Sequence, residues 1–165
     1  METVLTPQEE EHFARLCNQA FEYARTNQAN NLATMIQAGL SPHLKTHKGD
    51  TLLMLAAYHN ALESAQMLLQ YGARVDEKNN RGQTPLAGAC FKGYLEIVKL
   101  LVANGANIDE NNGFGMTPLS FAVMFGRKEV AQYLIQQKNI QLKPAKRLWI
   151  WVTQWFLKPN IPNTQ

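Results

Sequence analysis

The chain has 165 residues, of which 45% are hydrophobic and 18% charged, and a net charge of +3. Against roughly 100–200 residues per domain, a single domain with an ample core is expected. The positive excess sits at one end: residues 143–165 carry Lys143, Lys146, Arg147 and Lys158 and no acid, so residues 1–142 balance to −1, with 12 basic and 13 acidic residues. That body shows no basic stripe of the kind a nucleic-acid binder needs.

The first predicted element starts sharply. Thr6-Pro7-Gln8-Glu9 reads as a capping box with proline at the first helical position. Phe13, Leu16, Cys17, Ala20, Phe21 and Ala24 then recur at helical spacing, one face of a long amphipathic helix. Asn27 to Asn31 break it, and Leu32, Met35 and Ile36 form a second short helix that Gly39 ends. Gly39 lies 33 residues before Gly72. Residues 7–39 therefore read as an N-terminal cap or a degenerate repeat, and residues 40–47 complete that segment as its connecting loop.

A repeat then takes over. Gly49-Asp50-Thr51-Leu52-Leu53, Gly82-Gln83-Thr84-Pro85-Leu86 and Gly115-Met116-Thr117-Pro118-Leu119 follow one another at intervals of 33 residues. The register holds through each unit: Ala56, Ala89 and Ala122 share a column, as do Glu63, Glu96 and Glu129, and Leu68, Leu101 and Leu134. Gly72-Ala73-Arg74-Val75-Asp76 is matched by Gly105-Ala106-Asn107-Ile108-Asp109. Such periodicity marks stacked supersecondary units. Each unit reads as a turn and two short antiparallel helices. In the middle one, Thr84 is the N-cap, Pro85 opens the first helix and Gly93 ends it. Glu96 suits the start of the second helix, and Gly105 stops it. One unit is too small to bury its own apolar face, so neighbours must stack.

These residues resemble the ankyrin-repeat family. Residues 48–80, 81–113 and 114–146 look like three consecutive repeats, 99 of the 165 residues. The resemblance implies an all-α helical solenoid, three repeats between helical N- and C-terminal caps. The third unit departs from the pattern where Lys138 replaces the glycine and Gln141 the aliphatic residue of the following turn. The family usually has histidine after Thr-Pro-Leu, where its ring ties neighbouring turns. Here that column is Met54, Ala87 and Ser120, so the histidine network is expected to be absent. A second column is unusual: Leu55, Gly88 and Phe121 are equivalent, and Phe121 is expected to fill the notch left by Gly88, the alternative being that this glycine is simply tolerated.

Beyond Leu142, Pro144 is expected to start a helix that runs to about Leu157, before Pro159 and Pro162 end it, leaving 158–165 as a tail. Leu148, Trp149, Trp151, Val152, Trp155 and Phe156 fill an arc of about 160° on this helix. In register, Val152 and Phe156 continue core columns of the repeats, which favours a cap over residues 144–157. The alternative is a peripheral membrane anchor with basic flanks. The apolar run is far short of the roughly 20 residues that span a bilayer.

Chemistry is sparse. His43, His47 and His59 have no cysteine or carboxylate cluster to complete a metal set, and a solvated loop is the better reading. Cys17 and Cys90 fall on apolar faces and read as inert packing, in reduced form. Gly113-Phe114-Gly115 has Pro118 where a dinucleotide loop needs glycine. The paired carboxylates Asp76-Glu77 and Asp109-Glu110 belong to exposed turns. No catalytic constellation emerges, so the chain reads as a non-enzyme with no metal and no cofactor.

Binding is the better prospect. The resemblance implies a concave surface formed by the turn tips and the exposed side of the first helices. Carried over by position, it includes His47, Lys48, Asp50, Tyr58 and His59 in the first unit. The second supplies Asn80, Arg81, Gln83, Phe91 and Lys92, and the third Phe114, Met116, Met124 and Phe125. Tyr58, Phe91 and Met124 form a column of large groups, of types enriched at interfaces. A protein partner is expected, with no nucleic acid, for a monomeric adaptor, regulator or antidote. The N-terminus lacks a basic n-region and an apolar h-region, so a cytoplasmic protein is expected. The small size and few repeats resemble free-standing bacterial ankyrin proteins.

Overall fold

The computed structural model describes residues 6–138. Eight helices follow one another there: α1 (Pro7–Arg25), α2 (Ala29–Gln37), α3 (Leu52–Tyr58), α4 (Leu62–Gln70), α5 (Pro85–Lys92), α6 (Leu95–Ala103), α7 (Pro118–Met124) and α8 (Lys128–Lys138). The described residues form no sheet, and an isolated antiparallel bridge joins Lys45 and Thr51. The expected segment 144–157 lies outside the described residues.

Threonine opens every odd-numbered helix. The side chains of Thr6, Thr51, Thr84 and Thr117 accept from the backbone N–H of Glu9, Met54, Ala87 and Ser120. Pro7, Pro85 and Pro118 follow three of these caps at a position that needs no N–H. Each first helix then passes to its partner through one left-handed residue: Asn27 (φ 60°), Asn60 (59°), Gly93 (85°) and Gly126 (65°). These four positions are 33 apart, so the α1–α2 pair turns as the three repeats do. Asparagine and glycine are the residues that tolerate this conformation.

Gly39, Gly72 and Gly105 have positive φ after α2, α4 and α6, each of nine residues. Lys138 stands in that column and is still part of α8, which runs for eleven. Without glycine at the stop, the helix continues.

The helices form two layers. α1, α3, α5 and α7 pack in series, α2, α4, α6 and α8 form the second row, and each first helix packs on its own partner. Ala56, Ala89 and Ala122 are fully buried in the first row, and Leu68, Leu101 and Leu134 in the second. Small alanines let first helices approach closely, while the leucines fill the space between rows.

α1 is longer than the stack it joins. Its last turns, with Ala20, Phe21 and Ala24, are buried, whereas Phe13 is 53% exposed. By the 33-residue register α3 corresponds only to residues 19–25, so the earlier turns of α1 have no matching first helix beside them.

The notch at Gly88 is real, but Phe121 does not fill it. A Cβ on Gly88 would meet Tyr58 Cδ2 at 3.5 Å, and no Phe121 atom comes within 4 Å. The filling side chain comes from the preceding unit because Tyr58, at the end of α3, lies over the middle of α5. A 3.5 Å approach is ordinary contact, so one added methyl fits. Gly88→Ala should stabilise the protein by up to about 1 kcal/mol in urea unfolding, through helix propensity. Gly88→Leu should cost about 1–3 kcal/mol by displacing the Tyr58 ring. Adding Tyr58→Ala should relieve that cost, and adding Phe121→Leu should not.

Asparagines, rather than the family's histidine, tie neighbouring turns. Asn112 Oδ1 accepts from Thr84 N at 2.7 Å and from Thr84 Oγ1 at 3.0 Å, reaching from one turn to the preceding one. Asn79 Nδ2 donates to Asp50 Oδ1 at 2.7 Å, one unit earlier. Asn80 donates to Lys48 O through its backbone N and to His47 O through Nδ2, each at 3.1 Å. Asn79 and Asn112 share a column and are buried. Asn112→Ala should cost about 2–4 kcal/mol, because two buried donors of Thr84 lose their acceptor, at about 1–3 each. A loss below about 0.5 kcal/mol would show that the turns do not depend on this bond.

Candidate functional site

The expected surface residues separate into two groups. His47, Lys48, Asp50, Asn80, Arg81, Gln83, Phe114 and Met116 belong to the turns that precede the first helices. Tyr58, His59, Phe91, Lys92, Met124 and Phe125 lie at the opposite ends of those helices.

Several turn residues are structural. The Asp50 carboxylate accepts from Asn79, and its backbone closes the turn with Thr46. Gln83 repeats that closure with Asn79 through its backbone, as Met116 does with Asn112. Lys48, Arg81 and Phe114 are exposed. Phe114 is fully exposed and has φ 51°, a left-handed conformation that bulky residues rarely adopt. Asn111 Oδ1 holds this turn, accepting from Gly113 N at 3.0 Å and Gly115 N at 3.2 Å.

At the helix ends, three rings meet in a row. Tyr58 stacks on Phe91 with centroids 6.1 Å apart and planes within 8°. Phe91 meets Phe125 edge to face at 4.4 Å. The third repeat therefore continues the row with Phe125, one residue after the in-register Met124, which is 62% exposed. Met124 has no ring, and Phe125, the C-cap of α7, supplies the one that continues the row. The Lys92 ammonium sits 5.0 Å from the Tyr58 centroid, a cation–π contact. Arg127 Nε donates to Phe91 O at 3.0 Å, fixing the other side of the row.

His59 meets Tyr58 edge to face at 5.7 Å. Burial holds its imidazole below the ordinary value of 6.5, and the cations of Arg25 and Lys92 add to this, against a smaller opposing effect of Glu22. Elsewhere, burial pushes the thiols of Cys17 and Cys90 up, which makes both poor nucleophiles at neutral pH. Among the described residues no group of three or more His, Cys, Asp or Glu could hold a metal ion, and no helix is long and apolar enough to cross a membrane.

Sequence reasoning missed Asn79 and Asn112 as ties between units, although both fall in one 33-residue column. It also missed Arg127, whose equivalents in the two preceding repeats are Ala61 and Tyr94, so the repeat pattern carries no signal for it. Its contact with Phe91 O spans 36 residues and forms only once the units stack.

Paired helices in two rows, turning every 33 residues and offering no catalytic cluster among the described residues, define a helical repeat scaffold. Residues 20–112 and 83–146 match the family model of ankyrin repeats, in three copies. The chain belongs to the ankyrin-repeat family. It is 43% identical over 50 residues to a curated putative ankyrin repeat protein of Pseudomonas aeruginosa. That match covers 30% of this chain and 29% of the relative's length. The ankyrin fold generally mediates protein–protein interaction, and its members are non-catalytic scaffolds.

The His59 geometry yields a pH test. With the folded-state value lowered, the unfolded chain binds a proton more readily, so stability falls as the pH drops through 6.5 toward the folded value. An NMR titration of the His59 ring should give a midpoint below 6.5, rising in the Lys92→Gln variant. A midpoint at or above 6.5 would contradict this environment.

Proposed function

We propose that this chain is a protein-binding module that takes its partner on the first-helix side, the concave face of an ankyrin stack. The row Tyr58–Phe91–Phe125 carries the reading: three aromatic side chains from successive units join in one surface strip, with Tyr58 and Phe125 both exposed. Met124 extends the apolar area and Lys92 flanks it, while Arg81 and Phe114 stand on the turns at the other end of the first helices. Aromatic and arginine side chains supply most of the energy at such interfaces. The module acts by occupying or positioning its partner, as an adaptor, regulator or antidote does.

A photo-crosslinking amino acid placed at Phe114 or Met124 should trap one protein in the native cytosol, while the same group at Glu96 or Gln132, exposed on the second row, should not. Equal trapping from both sides, or from the second row alone, would sink this assignment. With the trapped partner in hand, Met124→Ala should leave stability within about 0.5 kcal/mol and weaken binding. Phe91→Ala should weaken binding by more than about 1 kcal/mol. It should also lower stability, because it removes two ring contacts worth about 0.5–1.5 kcal/mol each.

A further inference from the structure

We infer that the first-helix side binds an acidic protein segment bearing apolar side chains; this rests on the proposed binding face and adds the chemistry of what occupies it. The charges of the repeats are sorted by layer. The turns and first helices, residues 46–60, 79–93 and 112–126, carry Lys48, Arg81 and Lys92 against one acid, Asp50, a net of +2. The second helices and following loops, residues 61–78, 94–111 and 127–138, carry six basic and seven acidic residues, a net of −1.

Pairing sharpens the contrast. On the second-row side Arg74, Lys78 and Lys99 each pair with a glutamate. Lys48, Arg81, Lys92 and Arg127 have no carboxylate within 4.0 Å among the described residues. The single acid of the repeats' turns and first helices, Asp50, is occupied by Asn79. Lys92 and Arg127 lie at the aromatic strip, and Lys48 and Arg81 in the turns at the other end of the first helices. Four cations without counter-charges on a face with apolar groups are complementary to carboxylates interspersed with apolar groups. Such complementarity sets partner choice and association rate.

Other occupants fit less well. Residues 139–165 of this chain carry four basic residues and no acid, and the cationic face would repel them. A second copy would have to offer the acids of its second row, and six of the seven in the repeats already have partners. Glu63 accepts from Asn27, Asp76 from Asn107, and Glu77, Glu96, Asp109 and Glu110 from lysines. Single-stranded nucleic acid needs open aromatic faces on which bases stack. Here Tyr58 and Phe91 stack on each other, Phe125 meets Phe91, and Lys92 lies over Tyr58.

The test is selection of random twelve-residue peptides on the full chain. Winners should combine Asp or Glu with Leu, Phe or Trp. A synthetic winner should bind about tenfold more weakly to Arg81→Glu, and the effect should shrink at high ionic strength, where exposed charges are screened. Arg127→Glu serves as a second charge reversal, and Glu96→Lys, on the opposite side, should change nothing. Neutral or basic winners that still lose binding to Met124→Glu would overturn the charge inference and leave the binding face standing. Winners indifferent to Met124→Glu and Arg81→Glu would overturn both, and so would a selection that yields no binder. A single-stranded DNA 20-mer that binds more tightly than the best acidic peptide at equal salt would overturn the inference in favour of nucleic acid. Sedimentation showing self-association abolished by Arg81→Glu would assign the face to a second copy instead.

Discussion

No helix pair in this chain can bury its own apolar face, and every other feature depends on that shortfall. Leu53, Leu86, Leu68 and Leu101 are fully buried only because each unit closes over the next. Stability in such a stack is a sum of unit terms and interfaces between neighbours. The residues that align neighbours therefore matter as much as those that fill them. Asn112 holds the cap residue Thr84 of the preceding turn, and Asn27 Oδ1 accepts from Ser64 N in the first turn of α4. Each bond joins one unit's loop to a neighbouring unit's helix start, so a unit cannot shift without breaking a cap.

The same alignment builds the binding surface. First helices set side by side bring residues from successive units into one line, although they lie 33 or 34 positions apart in the chain. Ring contacts between Tyr58, Phe91 and Phe125 thus connect three units at their outer edge, as the alanine column connects them within. Ion pairs run similarly on the other side, where Lys45 meets Glu77 and Lys78 meets Glu110. Hydrogen bonds from these lysines hold both glutamates below the usual carboxylate range. Their contribution is present above about 4.5 and is lost as the pH falls through the lowered folded values.

The periodic part of this architecture was legible in the sequence because it is written once per unit. Thr84-Pro85-Leu86 and its counterparts named the helix starts, and the alanine and leucine columns named the core. What lies between units was less legible. Gly88 announced a notch, but register alone pointed to its in-column neighbour Phe121, whereas the ring beside it belongs to Tyr58. Phe13 continued the apolar periodicity of α1, yet periodicity carries no information about where the neighbouring helix begins. Phe125 replaced Met124 in the ring row because the ring of the third repeat sits one position past the column, on the C-cap of α7. Cross-unit contacts depend on side-chain reach, which a one-dimensional column does not encode.

Phe114 gives the turn of the third repeat a different character from its neighbours. A bulky residue in the left-handed region costs about 1–3 kcal/mol and persists only where its surroundings impose it. Here the two bonds that Asn111 accepts, from Gly113 and Gly115, bracket the residue and fix its backbone. The ring projects from a peg that is already rigid, so contact with another molecule would restrain only its two side-chain torsions. The entropy of ordering that turn is spent during folding rather than during association, which favours an attachment point that needs no rearrangement before it engages.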